Sequence, residues 1–264
     1  MTYRSIALAP FALTALIVLA AWFVLPAPMR PAAQQIGVDV SKVLALGGMA
    51  AAALAFERGD YLRRGWGVWA FAYVCFLARD AMLLARDHVS TGVFEGTRGA
   101  LVTAGNACVV FGAWTLARVW GVAGLEHPGS RSARRAILAV AIAAVLLFAG
   151  PTLVMDVRDC VRTSGLHFEA LASDAGDMLS LPLIAPVALT ALALQGGTLR
   201  WPWQLLTTSL VTWLVYDAVW IAPDYIPLPA GTRDASEVLH VLAGMCAFAA
   251  GLAQRKTVLD DDDG

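Results

Sequence analysis

Residues 136–155 read AILAVAIAAVLLFAGPTLVM, an unbroken apolar run without a single charged side chain. A helix needs about 20 such residues to cross a hydrocarbon layer roughly 30 Å thick, so this stretch predicts a membrane span. Seven further runs of the same kind flank it, at 5–25, 38–56, 65–86, 99–121, 175–195, 202–222 and 237–254. Turn-forming residues separate them: Pro26-Ala27-Pro28, Glu57 to Asp60, His127-Pro128-Gly129, Gly196-Gly197 and Pro227-Leu228-Pro229. The expectation is an all-α polytopic bundle of about eight helices, a single integral membrane domain over residues 1–264. The first run is too long for the apolar core of a signal peptide and counts as a span.

Composition agrees. Hydrophobic residues make up 59% of the chain and charged residues 15%, where a soluble domain carries about 25% charge. The net charge of −1 gives no hint of a nucleic-acid partner, and none is expected. Cys75, Cys108, Cys160 and Cys246 show no CxxC or Cys/His spacing, so neither a zinc site nor a disulfide framework is expected. No motif implies a cofactor.

Loop charge sets the expected orientation. With the N-terminus in the cytoplasm, the inner segments hold eleven cations: Arg4, Arg58, Arg63, Arg64, Arg118, Arg131, Arg134, Arg135, Arg200, Arg255 and Lys256. The outer segments hold six, Arg30, Arg86, Arg98, Arg158, Arg162 and Arg233. Both termini are therefore expected in the cytoplasm, in the inner membrane of a bacterium-like cell, with the lipid bilayer as the constant partner.

Ionisable groups within spans each cost at least about 2.5–3.5 kcal/mol to insert, so they mark functional or tightly paired positions. Arg79 and Asp80 lie roughly 10 Å below the outer end of the third span and Asn106 at a similar depth in the fourth. Asp177, Asp217 and His240 fall near the outer ends of the last three spans, and Lys42 near that of the second. The expectation is one polar ligand-binding pocket in the outer half, formed by Arg79, Asp80, Asn106, Asp177, Asp217 and His240. Glu237 stands three residues before His240 and within its reach. Asp217 shares a helix face with Trp213 and Trp220. Neighbours on a helix diverge, so at least one of Arg79 and Asp80 is expected to need another partner, with Asp217 or Asp177 available to Arg79. Lys42 is expected to snorkel outward and pair with Asp39. Trp22, Trp66, Trp201, Trp203 and Trp220 read as interface anchors. On the last span, His240, Gly244, Ala247 and Gly251 form a stripe suited to close packing, and Pro182 with Pro186 marks the sixth span as bent.

The stretch Ser173-Asp174-Ala175-Gly176-Asp177-Met178-Leu179-Ser180-Leu181-Pro182, then Gly196-Gly197, Trp201-Pro202-Trp203 and Tyr216-Asp217, has a family likeness. It resembles the membrane-embedded N-terminal sensor modules of bacterial histidine kinases and diguanylate cyclases. The resemblance implies a sensory or ligand-binding role. Since only residues 255–264 follow the last span, it also implies a separate signalling partner at the cytoplasmic face. Two alternatives use the same polar layer. One is an intramembrane enzyme in which Asp80, Asp177 or Asp217 works with His240 on a lipid; the other is a small transporter or proton relay. A retinal Schiff base is not expected, since Lys256 lies beyond the last span and Lys42 near the mouth of the second. Hydrolases of the lysoplasmalogenase type and multi-histidine zinc hydrolases have no matching motifs here.

Overall fold

The computed structural model describes residues 2–122, 130–162, 168–194, 197–221, 226–229 and 231–262. The His127-Pro128-Gly129 turn, His167, Gly196, Asp224, Asp263 and the side chains of Arg233 and Asp234 lie outside the described residues. Among the described residues all regular structure is helical. In order come α1 (Tyr3–Leu19), α2 (Arg30–Ala55), α3 (Tyr61–Ala81), α4 (Thr91–Ala117), the short α5 (Val119–Val122) and α6 (Arg131–Arg162). Then follow α7 (Phe168–Ser180), α8 (Ile184–Ala193), α9 (Arg200–Ile221) and α10 (Thr232–Asp262).

Seven of the helical segments are long and apolar enough to cross a membrane, with α7 and α8 together forming one of them. The protein is thus a multi-pass helical membrane protein, and Leu84, Phe23, Leu147 and Val161 are among many large apolar side chains directed outward. The helix outside that set is α9, which carries Gln204, Thr207, Thr208, Ser209, Thr212 and Asp217. The bend expected at the prolines is present: a 3₁₀ turn at Leu181–Leu183 separates α7 from α8. The last helix differs from its expected end near 254. It continues to Asp262, so Lys256 lies within it, paired with Asp260 at 2.9 Å. This i,i+4 pair supports the final turns.

The chain forms two compact units, Met1–Arg58 with Ala191–Gly264, and Gly59–Thr190. In the first, α2 and α10 run parallel and touch through small residues. A Cβ placed on Gly48 would sit 2.5 Å from the Phe248 carbonyl oxygen, and one on Gly244 2.5 Å from Ser41 Oγ. Gly251 lies directly against the Gly48 backbone. Lipid tails are as apolar as leucine, so helices associate in a membrane largely by such close packing. The stripe expected on the last span is therefore the contact face. Antiparallel α1 ties to α10 at both ends, with Ile17 on the Val38, Val241 and Met245 cluster and the Tyr3 hydroxyl bonded to Thr257 (3.3 Å) and Asp260 (3.2 Å). Antiparallel α9 is fastened where Ser209 Oγ donates to the Ala243 carbonyl at 2.8 Å.

In the second unit α3 and α4 are antiparallel. Gly65 meets Thr115 and Leu116, and Gly105 meets the Phe76 ring. The parallel partner of α4 is α7, where Gly99 abuts Phe168 and Gly176 abuts Asn106. Two tryptophans expected at the interface are core residues instead: Trp66 is 0% exposed and Trp203 4%. Their indoles fill helix contacts, and position near a span end does not distinguish the two roles. Trp22 and Trp220 are 43% and 41% exposed, as interface anchors are.

The parallel contact makes a sharp test. Gly251→Leu and Gly48→Leu would force backbones apart, costing more than the ~1–3 kcal/mol usual for core overpacking. A methyl group on the adjacent Gly47 would meet no atom within 4 Å, so Gly47→Leu should leave the melting temperature in detergent unchanged. Equal melting temperatures for all three variants would refute the contact.

Candidate functional site

The six residues expected in one pocket divide between the units. Arg79, Asp80, Asn106 and Asp177 belong to the second, Asp217 and His240 to the first.

In the first unit the polar centre is His240 on α10, 7% exposed. It lies four residues before Gly244, so the close α2–α10 contact fixes the backbone that carries it. Its ring stands edge-on to Trp213 with centroids 4.6 Å apart, and 4.7 Å from the tilted ring of Tyr216. Nδ1 is 3.3 Å from Glu237 Oε2, as the i,i+3 spacing anticipates. The other carboxylate oxygen, Oε1, accepts from the Tyr216 hydroxyl at 3.4 Å. Glu237 thus bridges a histidine and a tyrosine from two helices. Asp217 is half-buried on the same helix as Trp213 and Tyr216. The aromatic row runs on from Tyr216 to Trp220, centroids 5.9 Å apart.

Lys42 departs from expectation. It is 2% exposed, and Asp39, its expected partner, accepts from Gln35 Nε2 at 3.0 Å. The lysine is among the buried residues of α2, with Val38, Ser41, Ala45 and Met49, so it does not snorkel to the surface. Beside Glu237 lies a small crevice lined by Ile17, Trp22, Gln34 and Val241, with a volume of about 10 Å³. That is room for about one water.

In the second unit Arg79 Nε and Nη2 both donate to Asp80 Oδ1, at 2.8 and 2.6 Å. The two neighbours meet because a long guanidinium stem reaches round the helix, where Cβ directions alone would keep them apart, and Asp80 has a further interaction besides. Asn106 Nδ2 donates to the Ala172 carbonyl at 3.0 Å, clasping α4 to α7. Further along the same seam, Arg98 pairs with Glu169 at 3.0 Å across 71 residues of sequence, and its guanidinium lies over the Phe94 ring. In the sequence these two charges read only as outer-segment residues. Asp177 is half-buried beside Gly176, and Ser180 Oγ donates to its carbonyl at 3.5 Å. Asp174, one turn earlier, holds a buried carboxylate oxygen without a hydrogen-bond partner among the described residues.

No three-residue group of His, Cys, Asp and Glu able to hold a metal occurs among the described residues. Chemically, the first unit brings an imidazole, a carboxylate and a phenol together, and the second offers paired charges and an amide clasp.

The clasp generates a prediction. Gly176→Ala would drive a methyl group to 2.5 Å from Asn106 Cβ, and Asn106→Ala removes the Ala172 bond. Each should lower the melting temperature. The double variant should lose less than their sum, with a coupling in the range of about 0.5–3 kcal/mol for residues in contact. Strict additivity would show that the two do not touch.

Compared with known proteins, the chain matches no family model, no curated protein and no solved structure.

Proposed function

We propose that this is a sensory or ligand-binding protein of a bacterium-like cytoplasmic membrane, with eight spans and both ends in the cytoplasm. The observation that carries the reading is His240, buried where α9 meets α10, flanked by Trp213 and Tyr216 and bridged through Glu237. Polar groups of this kind are expensive in a span and are kept where they act. Because the cluster joins two helices, a change in the protonation or hydrogen bonding of His240 alters how α9 packs on α10. A signal on the outer side thereby reaches the helix ends on the inner side, where a separate signalling partner would read it. The likeness of residues 173–217 to membrane sensor modules supports the same role.

The topology rests on an argument of parity. Tyr3 bonds to Thr257 and Asp260, so the first and last helices end side by side, and a chain with adjacent ends crosses a membrane an even number of times. Seven apolar segments need α9 as the eighth span, and its buried Ser209 bonds to α10. The excess of Arg and Lys in inner segments supports the cytoplasm as the shared side. A cytoplasm-only fluorescent reporter fused after Gly264 should be bright; a dark fusion with an active periplasmic reporter would overturn the orientation.

The sensing role is tested on Trp213. An imidazolium quenches a neighbouring indole, so tryptophan emission from the purified protein should fall on acidification, and His240→Phe or Trp213→Phe should flatten the titration. His240→Phe keeps a ring between Trp213 and Tyr216, so a histidine retained for signalling should be replaceable with no loss of melting temperature. A drop of more than about 4 °C, roughly 1 kcal/mol or more for a chain of this size, would mark it as a packing residue. Lipid hydrolysis by the wild type that His240→Phe abolishes would favour the enzyme reading instead.

A further inference from the structure

A chemical asymmetry of a different kind lies away from the residues above. In the second unit a cavity of about 490 Å³ opens between the start of α6, the end of α4 and α8. Its lining is of two kinds: Arg131, Arg134 and Arg135 with Leu138 from α6, and the apolar Pro186 and Leu189 from α8. The volume is within the range of about 300–1,000 Å³ typical of small-molecule sites.

Folding gives no reason for the arginines to be grouped this way. They stand at i, i+3 and i+4, so their like charges share one helix face and repel. They occupy the start of a 32-residue helix, where the macrodipole disfavours cations, and no acidic residue is present in the first turn to offset them. Among the described residues no ion pair involves any of the three. A topology signal needs only a count of cations in the inner segment. That all three line one cavity is a separate property, and their mutual repulsion would be relieved by an anion.

We infer that this cavity binds a phosphate-bearing anion, held by Arg131, Arg134 and Arg135, with an apolar portion lying against Leu138, Pro186 and Leu189. Guanidinium groups match phosphate oxygens through paired, planar hydrogen bonds. The apolar wall suits the acyl or glycerol part of an anionic phospholipid, whose headgroup would sit at the inner membrane surface under the proposed orientation. The same arginines suit a free phosphate compound.

The experiment uses the full-length, delipidated protein in detergent and native mass spectrometry, with phosphatidylglycerol, phosphatidylcholine and inorganic phosphate as probes. The wild type should retain phosphatidylglycerol at least tenfold more than phosphatidylcholine. Arg131→Gln/Arg134→Gln/Arg135→Gln should lose that preference. Leu138→Trp keeps all three charges and narrows the apolar wall, so it should weaken phosphatidylglycerol while sparing inorganic phosphate. A control variant, Arg4→Gln/Arg58→Gln/Arg255→Gln, removes three exposed inner cations elsewhere and should behave as wild type. Displacement of the lipid by millimolar inorganic phosphate would assign the site to a free phosphate compound, and resistance to it would assign it to the lipid headgroup. Equal retention by the wild type and the Arg131 triple variant, or equal losses in that variant and the control, would overturn the site. If the Arg131 triple variant does not fold, Arg134→Gln alone and Leu138→Trp decide by the same comparison.

Discussion

The backbone contact between α2 and α10 governs the first unit. Neither helix gains from hiding leucine in a lipid solvent, so attraction must come from atoms brought close, and only glycine permits that here. Gly48 against Phe248 and Gly251 against Gly48 bring the two main chains together. Serine against Gly244 continues the contact upward. With α10 held this way, His240 faces α9 one turn above the last close approach. Ser209 then sets α9 at the height where Trp213 and Tyr216 bracket the imidazole. The cluster is a consequence of register, and register follows from the glycines.

The second unit solves the same problem with different chemistry. It too has a parallel pair, α4 with α7, flanked by an antiparallel partner, α3. Small residues again mark the approach, but here Asn106 fills the space over Gly176 and bonds the opposite backbone. Arg98 and Glu169 close the end of the same seam. Parallel helices adjacent in space but distant in sequence need long-range fasteners, because no short loop holds them. Glycine contacts serve one unit, and a polar clasp with an ion pair serves the other.

What is legible in the sequence is what is local. Apolar runs, the prolines at 182 and 186, the glycine stripe on the last span and the Glu237–His240 spacing are all properties of one segment, and they carry over to the structure. Lys42 eludes such a reading because snorkelling depends on what packs around it, which other segments of the chain decide. Arg79 eludes it because Cβ direction says little about so long and flexible a side chain. Trp66 and Trp203 look like anchors in a hydropathy plot, since an interface tryptophan and a buried one share the same neighbours in sequence. Tyr216 has no chemical role of its own until α10 supplies Glu237 and His240. The arginines of α6 are legible as charges, but their common cavity depends on α8, far downstream in the chain.

The spans and the membrane surface therefore call for opposite standards of inference. Within the span, a charge without a partner is costly, and Arg79–Asp80 and Arg98–Glu169 each supply one. A pair there is compatible with pure packing, which is why the His240 reading leans on the aromatic bracket and the bridge between helices. At the membrane surface water tolerates single charges, and three clustered cations are neither demanded by insertion nor neutralised by the fold. Their grouping at the unfavourable end of a helix costs stability. A costly arrangement that folding does not require is better evidence of a ligand than a paired charge is.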